Sequence, residues 1–427
     1  MVEKYNVLFN KYQRKIYRVL RDTLFREAIW RSVIGSRINR EKAFRKYPHV
    51  KKLAERLRDI RYNTILNLQE YVKMTIENME DANMHVYFAK TAQDARRIIG
   101  KIVGSNKIIV KSKSMTAEEI GLNEYLTTLQ NEVWETDLGE FIIQLANRKP
   151  MHLVEPAIGI PKEKIAELFS KLAKREIPPS PTELAKFARE FLREKYFKAD
   201  IGISGANVIA AETGTIFIVE NEGNARFVTN APPIHIVVAG IEKIVPTLQD
   251  AMLQIEVLSR YAGYTMPSYI SLISGPSKTG DIEKNIIYGA HGPREVYVIL
   301  LDNGRSEMMK HPIFREALLC IRCGSCLYEC PVFEQIAGFY GSTYFGGIGA
   351  VWTKFVLDPL HAYVLAYSCT LCGRCHEICP MKIDTPSMIL ELRKEAAEQG
   401  FILRKIGRIL VREYGFNINY SEKNNHS

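Results

Sequence analysis

The chain has 427 residues, of which 46% are hydrophobic and 25% are charged, and its formal net charge is +10. This length is too great for one core of typical size, so we expect two or three domains. No stretch approaches the roughly eighteen uninterrupted apolar residues of a membrane-spanning helix, which excludes an integral membrane protein. Residues 1–30 lack the charged and then apolar pattern of a signal peptide, so we expect a cytoplasmic protein.

Residues 1–80 are predicted to form a helical N-terminal segment, because apolar residues from Leu53 to Tyr71 recur close to the helical period. Many of the positive charges lie between Arg14 and Arg61. A basic segment can bind nucleic acid, an acidic partner or anionic lipid. Acidic residues are interleaved here, however, and aromatic residues are few. We therefore predict a solvated helix face and expect no nucleic acid partner.

The next region, residues 81–305, alternates short β-branched runs with amphipathic helical segments. The predicted strands are 85–88, 108–110, 208–210, 215–219, 235–238 and 296–301, and the clearest helices are 92–103, 165–173 and 183–194. This alternation predicts an α/β fold with helices on both faces of the sheet. The turn sequence from Asp302 to Arg305 closes the last strand and marks the end of this domain.

A candidate anion pocket follows the second predicted strand, where Lys111, Ser112, Lys113 and Ser114 precede a predicted helix. Backbone N–H groups at a helix N-terminus, together with hydroxyls and ammonium groups, suit an anion. Equally, Ser114 need only cap the helix. The two interpretations are compatible.

Two residues elsewhere in this region are further candidates for a pocket. Glu212 lies between two predicted strands, where a structural anchor is favoured over a catalytic acid, and Lys278 lies in a glycine-bounded loop that suits a phosphate or carboxylate. The loop lacks the order of a P-loop, and no G-x-G-x-x-G sequence follows a strand. Nucleoside triphosphate, flavin and nicotinamide binding therefore have no direct support, and the catalytic residues stay unknown.

The eight cysteines of the chain fall into two copies of one pattern. They are Cys320, Cys323, Cys326 and Cys330 followed by Pro331, and Cys369, Cys372, Cys375 and Cys379 followed by Pro380. This is the C-x2-C-x2-C-x3-C-P run of bacterial-type ferredoxins, so we predict two [4Fe-4S] clusters. Because the fourth cysteine of each run ligates the other cluster in such proteins, the predicted sets are Cys320, Cys323, Cys326 and Cys379, and Cys369, Cys372, Cys375 and Cys330.

Two other uses of the cysteines are less consistent with this pattern. Disulfides need an oxidising compartment, for which the sequence gives no sign. Structural zinc uses pairs of cysteines, and does not need the third x2 step or the x3-C-P ending. The long gap 332–368 contains a predicted helix at 360–365, which favours an α-helical ferredoxin domain over residues 306–395. The remaining residues, 396–427, contain a basic amphipathic helix at 401–411, which we expect to pack on its own domain.

Several sequence blocks together resemble one known family from about residue 45 to about residue 393. They are Val110–Met115, Glu135–Glu140, Asn221–Asn224, Gly240–Lys243, Leu301–Ser306 and Cys320–Cys326. This set is similar to the iron-sulfur subunit of the bacterial and archaeal lactate utilization system. The resemblance implies that residues 81–305 form a lactate-utilization (LUD) domain, similar in topology to the NagB, ribose-phosphate isomerase and coenzyme-A transferase folds.

The resemblance also implies a function and partners. The chain would act with a protein rich in CCG motifs and a second LUD protein in oxidising L-lactate, or a related 2-hydroxy acid, to pyruvate. Electrons would pass through the clusters to an acceptor, and membrane contact would go through partners. The alternative is a stand-alone enzyme whose α/β domain binds an acyl or phosphorylated substrate.

Overall fold

The computed structural model describes residues 2–151 and 156–401, so the predicted helix at 401–411 lies almost wholly outside the described residues. The N-terminal segment forms the helices α1 (Val2–Arg21), α2 (Thr23–Lys46), α3 (Val50–Leu66) and α4 (Leu68–Asp81). Within the described ranges, no helix combines the length and the apolar content needed to cross a bilayer.

The α/β region follows with alternating strands and helices. Its first half comprises β1 (His85–Ala89), α5 (Ala92–Val103), β2 (Ile108–Lys111), α6 (Met115–Glu119), α7 (Leu122–Thr128), β3 (Glu132–Glu135), α8 (Leu138–Leu145), α9 (Lys162–Ala173), α10 (Pro181–Lys198) and β4 (Ile201–Ser204). Its second half comprises β5 (Val208–Ala210), β6 (Thr215–Glu220), α11 (Asn224–Asn230), β7 (Ile234–Gly240), β8 (Ile244–Val245), α12 (Leu248–Tyr261), β9 (Tyr269–Ile273), β10 (Lys278–Ile282), β11 (Asn285–Tyr288) and β12 (Glu295–Leu301).

The strands described here form a parallel six-stranded sheet in the order β1-β12-β7-β4-β2-β3 and a second sheet in the order β8-β5-β6-β9, while β10 and β11 form a hairpin. Strand β7 is apolar on both faces: Ile236 and Val238 pack with α5–α7, whereas Val237 and Ala239 pack toward the second sheet. A parallel strand covered on both faces needs such an uninterrupted apolar run. The carboxyl ends of β2, β3, β4, β7 and β12 therefore meet at one edge.

The predicted α/β fold with helices on both faces is confirmed, with one difference in strand arrangement. The predicted strands 208–210 and 215–219 do not join the main sheet, because they pair with each other in antiparallel fashion in the second sheet. That sheet lies against the main sheet on one side and against α12 on the other. Helices α8–α10 cover the remaining part of the main sheet.

The cysteine-containing region is helical, as expected. It forms α13 (Arg305–Lys310), α14 (Ser325–Tyr328), α15 (Phe333–Ile336), α16 (Gly346–Val356), α17 (Pro359–Ala366), α18 (Arg374–Ile378) and α19 (Thr385–Glu398), with short 3-10 helices at Phe314–Leu319 and Ala337–Phe339. A further 3-10 helix, Ile241–Lys243, follows β7 in the α/β region. The predicted helix 360–365 corresponds to α17. This helix begins at Asp358, whose side chain accepts a hydrogen bond from the N–H of His361.

One hydrophobic core joins all three regions. It contains buried residues of α3 and α4, one face of β7 and β12, and residues from Phe314 to Phe401. Arg61 on α3 is 1% exposed and donates hydrogen bonds to the carbonyl oxygens of Leu318, Leu319 and Glu242 at 2.8–3.0 Å. The N-terminal helices therefore connect the α/β region to the cysteine region.

The prediction of a solvated basic face in the N-terminal segment holds only in part. Most of its basic residues are exposed or half-buried, but Arg40 and Arg61 are buried. Arg40 pairs with Glu329, their Nη2 and Oε1 atoms lying 2.5 Å apart, directly before the fourth cysteine of the first run. These charges are used inside the protein, which the sequence pattern alone does not show.

Replacing Arg61 with methionine tests its role between the regions. Arg61→Met leaves buried carbonyl oxygens without their donor, so we expect the free energy of unfolding to fall by roughly 3 kcal/mol. Urea unfolding of the anaerobically purified protein measures this. Lys73→Ala is the matched control, because Lys73 pairs with Glu77 at the surface and its loss should change stability by less than about 0.5 kcal/mol. Equal effects of the two changes would contradict the assigned role.

Candidate functional site

The two cysteine runs adopt the same backbone conformation. Arg322 and Gly324 in the first run, and Leu371 and Gly373 in the second, have φ angles of +63°, +78°, +56° and +78°. In each run this left-handed pair flanks the second cysteine and turns the loop around its thiols. Helices α14 and α18, which follow the loops, pack against each other. The sequence repeat is thus also a structural repeat, with the two loops facing one another.

A cavity between the loops brings cysteines of both runs together. Cys326 and Cys330, from the first run, line it together with Cys369, Cys372 and Cys375 of the second. Glycines and apolar residues make up most of the remaining wall, and among the described residues lining it there is no histidine or carboxylate. A donor set of thiols alone fits an iron-sulfur cluster.

The pKa shifts of the two fourth cysteines show which thiols lie near each of them. Burial raises the pKa of Cys330 to about 12, and the nearby thiols that add to this effect are Cys375 and Cys369. Burial also raises the pKa of Cys379 to about 12, but there the contributing thiols are Cys323 and Cys320. Each fourth cysteine therefore lies near the opposite run. Free thiolates are unfavourable in such surroundings, whereas bound iron would balance their charge.

The two sets of cysteines differ in exposure. Cys323 is buried, whereas Cys372 is exposed. Ser325, two residues after Cys323, donates a hydrogen bond to the carbonyl oxygen of Tyr261 at the end of α12. The first loop therefore lies against the α/β region, and the second lies at the surface.

A chain of buried ions runs from the α/β region to the first cysteine loop. Arg305 binds Glu119 through two hydrogen bonds of 2.9 Å and also donates to Glu242; all three side chains are 0% exposed. On the far side of Glu242 lies Arg322, with 3.7 Å between Glu242 Oε1 and Arg322 Nη2. Burial by itself would raise the pKa of Glu242, but the cationic neighbours, Arg305 first, lower it to about 2. We call Glu119, Arg305, Glu242 and Arg322 the ion chain.

The predicted anion pocket is occupied by a second charged cluster. Lys111 at the end of β2 is 1% exposed, and its Nζ atom lies 2.8 Å from Glu135 Oε1 and 3.2 Å from Glu118 Oε1. Lys113 Nζ lies 3.7 Å from Glu140 Oε1. The two lysines are therefore already paired with carboxylates. Ser112 is buried, and Ser114 caps α6 by accepting a hydrogen bond from the N–H of Ala117, as the capping interpretation predicts.

The surroundings of Glu140 favour the protonated form of its side chain. Its burial raises the pKa to about 8, although Lys113 opposes this effect. Burial also raises the pKa of neighbouring Glu135, against the charge of Lys111. Both glutamates line a groove that is bounded on the other side by Ser342, Thr343 and Phe345 of the cysteine region. The groove thus has in its wall two carboxyl groups with raised pKa values.

Glu212 and Lys278 lie in other elements. The carboxylate of Glu212 is exposed and accepts a hydrogen bond from the N–H of Leu248 at the start of α12, which is a structural anchor. Lys278 is exposed on the β10–β11 hairpin. Among the described residues, no ion pair or hydrogen bond joins either of them to Lys111 or Lys113.

Comparison with known proteins identifies both parts of the chain. Residues 72–301 match the LUD domain, and residues 316–383 match the 4Fe-4S dicluster domain. A lactate utilization protein B from Shouchella clausii (strain KSM-K16) is 38% identical over 396 residues, which cover 91% of this chain and 81% of that protein. The chain belongs to the lactate utilization protein B family. Its cysteine runs therefore lie in an iron-sulfur domain.

Further relatives agree with this assignment. A lactate utilization protein B from Macrococcus caseolyticus (strain JCSC5402) is 39% identical, with 85% of this chain and 75% of that protein covered. An uncharacterized electron transport protein from Escherichia coli (strain K12) is 36% identical, with 91% and 81% covered.

The sequence blocks that carry the resemblance to the lactate utilization protein B family meet in space. Glu222 accepts a hydrogen bond from the N–H of Leu138, and Asn224 donates one to Thr136, so the blocks at 135–140 and 221–224 are in contact. Sequence reasoning missed the ion chain, whose members are more than a hundred residues apart at some steps. Glu242 and Arg305 do lie in the blocks Gly240–Lys243 and Leu301–Ser306, which carry the family resemblance. Charged residues within these blocks were the only sign of the ion chain in the sequence.

Replacing Glu140 with glutamine tests the protonation of this glutamate. Because the folded pKa lies above the unfolded value, Glu140 weakens the protein progressively as the pH rises from about 4.5 to about 8. Glu140→Gln removes this dependence, so the stability of the variant relative to the native chain should be greater at pH 8 than at pH 5. Urea unfolding midpoints at both pH values measure the difference. A difference that does not change with pH would show that Glu140 is ionised in the folded protein.

Proposed function

We propose that the chain is the iron-sulfur electron-transfer subunit of a multi-subunit complex that oxidises L-lactate, or a related 2-hydroxy acid, to pyruvate. The observation that carries this proposal is the interleaving of the two cysteine runs, in which Cys330 lines a cavity with Cys369, Cys372 and Cys375. This arrangement suits two adjacent clusters and an electron path between them. The names of the curated relatives supply the substrate and the electron-transport role.

In this proposal, one [4Fe-4S] cluster is held by Cys320, Cys323, Cys326 and Cys379, and the other by Cys369, Cys372, Cys375 and Cys330. Each cluster, when bound, supplies a one-electron carrier. The chain itself fixes the thiols through the paired left-handed turns, and the buried rings of Tyr344 and Trp352 pack on Arg322 in the first loop. Because Cys372 is exposed, the second cluster is the one that exchanges electrons with an external electron donor or acceptor.

The substrate step is assigned to partner subunits, namely a protein rich in CCG motifs and a second LUD protein. Oxidation of a 2-hydroxy acid removes two electrons and two protons, whereas a cluster accepts one electron and no proton. A site in a partner subunit must therefore take the two electrons from the substrate and pass them on one at a time to the clusters of this chain.

A second function is favoured by the groove beside Glu135 and Glu140. Carboxyl groups with raised pKa values in a groove that touches both domains could serve a stand-alone enzyme acting on an acyl or phosphorylated substrate. Lys111 and Lys113 already contact glutamate side chains, so neither ammonium group is free to bind an anionic substrate. We rank this function below electron transfer for that reason.

Pairs of serine substitutions test the crossed ligand sets. Cys330 and Cys372 belong to the same proposed cluster, so the double variant Cys330→Ser, Cys372→Ser should retain the other cluster and about four of about eight irons. Cys330 and Cys323 belong to different clusters, so Cys330→Ser, Cys323→Ser should lose both. Iron analysis and electron paramagnetic resonance of anaerobically purified protein measure the content. The reverse result would mean that each run binds its own cluster, and bound zinc would contradict the cofactor assignment.

Reduction by lactate separates the two functions. Under the electron-transfer proposal, L-lactate added to the purified chain leaves the clusters oxidised, and reduction occurs only when both partner subunits are present. Bleaching of the visible absorbance near roughly 400 nm follows the reaction. Dithionite is the control that shows the clusters are competent. Reduction by lactate without partners would favour the stand-alone enzyme.

A further inference from the structure

Arg322 occupies an unusual position in the first cysteine loop. It lies between Cys320 and Cys323, and its φ of +63° is a conformation that non-glycine residues rarely adopt. Its guanidinium group lies 4.1 Å from the ring centres of both Tyr344 and Trp352, so the two rings hold it from different sides. A flexible surface arginine would not need this support. The structure thus fixes a positive charge beside the thiols.

Glu242 supplies the opposing charge from the α/β domain. It lies in the 3-10 helix after β7, is fully buried, and its Oε1 atom has no hydrogen-bond partner among the described residues. That atom faces Arg322 Nη2, which likewise lacks a hydrogen-bond partner there, at 3.7 Å. At this distance the two groups form an ion pair but no hydrogen bond. Both charges therefore act on their surroundings chiefly through their fields.

Buried charges at this position have a large effect on a neighbouring redox centre. Reduction adds one negative charge to a cluster, so a nearby cation favours the reduced form and a nearby carboxylate disfavours it. Such fields are weakly screened inside a protein, where the effective dielectric constant is well below that of water. Arg61 and Lys243 are two further buried cations whose charges interact with the Cys320 thiol. In the second loop, Leu371 stands where Arg322 stands in the first, so the second loop lacks this arginine.

We propose that Arg322 and Glu242 set the reduction potential of the cluster bound by Cys320, with Arg322 raising it and Glu242 lowering it. Neither residue is a ligand; both are positioning residues that act through charge. The proposal rests on the proposed function in one respect, since it requires that Cys320 ligates a cluster. Through Glu242, the α/β domain controls a property of the iron-sulfur domain.

The ion chain also reaches the groove that Glu135 and Glu140 line. Glu119, which binds Arg305, also lines the groove beside Glu135 and Glu140. Tyr344 connects the same residues a second time, because its hydroxyl donates to Glu119 at 2.6 Å while its ring lies against Arg322. Glu119 and Tyr344 therefore connect the groove with Arg322 in the first cysteine loop.

Redox titration followed by electron paramagnetic resonance tests the proposal on the full chain. Glu242→Gln should raise the potential of the Cys320 cluster, and Arg322→Gln should lower it, each by at least tenfold in the one-electron equilibrium constant, or about 59 mV. Arg322→Lys keeps the charge and should lie closer to the native potential than Arg322→Gln. The Cys372 cluster, titrated in the same samples, is the internal control and should keep its potential. Signals are assigned with Cys323→Ser and Cys372→Ser.

The opposite signs of the two shifts separate charge from structure. A general loosening of the loop would move both glutamine variants in the same direction, and that result would overturn the proposal, as would unchanged potentials. If Glu242→Gln fails to fold, the comparison of Arg322→Gln with Arg322→Lys decides. Absence of iron in the native chain would instead contradict the proposed function, so the two failures are distinguishable.

Discussion

The requirement that buried charges be paired determines how the α/β domain and the iron-sulfur domain fit together. The side chains of Glu119, Glu242 and Arg305 are 0% exposed, and removing Arg305 would leave the Glu119 carboxylate without its cationic partner. Because Glu119 and Glu242 come from the α/β domain and Arg305 from the junction, the pairing fixes the junction against the sheet edge. The cysteine loops then follow at a set place. A purely apolar contact would allow more sliding, since apolar packing is not directional.

The N-terminal helices complete this arrangement from the outside. Arg61 binds carbonyl oxygens in the 3-10 helix that ends just before Cys320, and Arg40 pairs with Glu329 just before Cys330. Tyr12 on α1 shares a hydrogen bond of 2.9 Å with Ser368, which directly precedes Cys369. Each of these helical residues thus holds a segment next to a cysteine. The segment is better described as a clamp on the iron-sulfur domain than as a separate helical unit.

The sequence predicts those features that depend on local spacing. The cysteine intervals encode the loop conformation directly, and strands such as β7 and β12 are long apolar runs that only a covered parallel sheet accommodates. Strands β3 and β4 were not predicted, because β3 carries glutamate at both ends and β4 contains Gly202 and Ser204, so neither is an uninterrupted apolar run. The partners of Lys111 were also missed, because pairing with Glu135 depends on the parallel register of β2 and β3 rather than on any local pattern. Long-range charge pairs of this kind leave no periodic signal in a sequence.

The order of these residues along the chain has a consequence for biosynthesis. Arg61, Glu119 and Glu242 all precede the first cysteine, and protein domains tend to fold from the amino end as they are synthesised. The surface that receives the cysteine loops is therefore completed before the loops leave the ribosome. We therefore expect the thiols of the first loop to meet a surface whose charged residues have already been made, whereas Cys372 stays exposed to solvent.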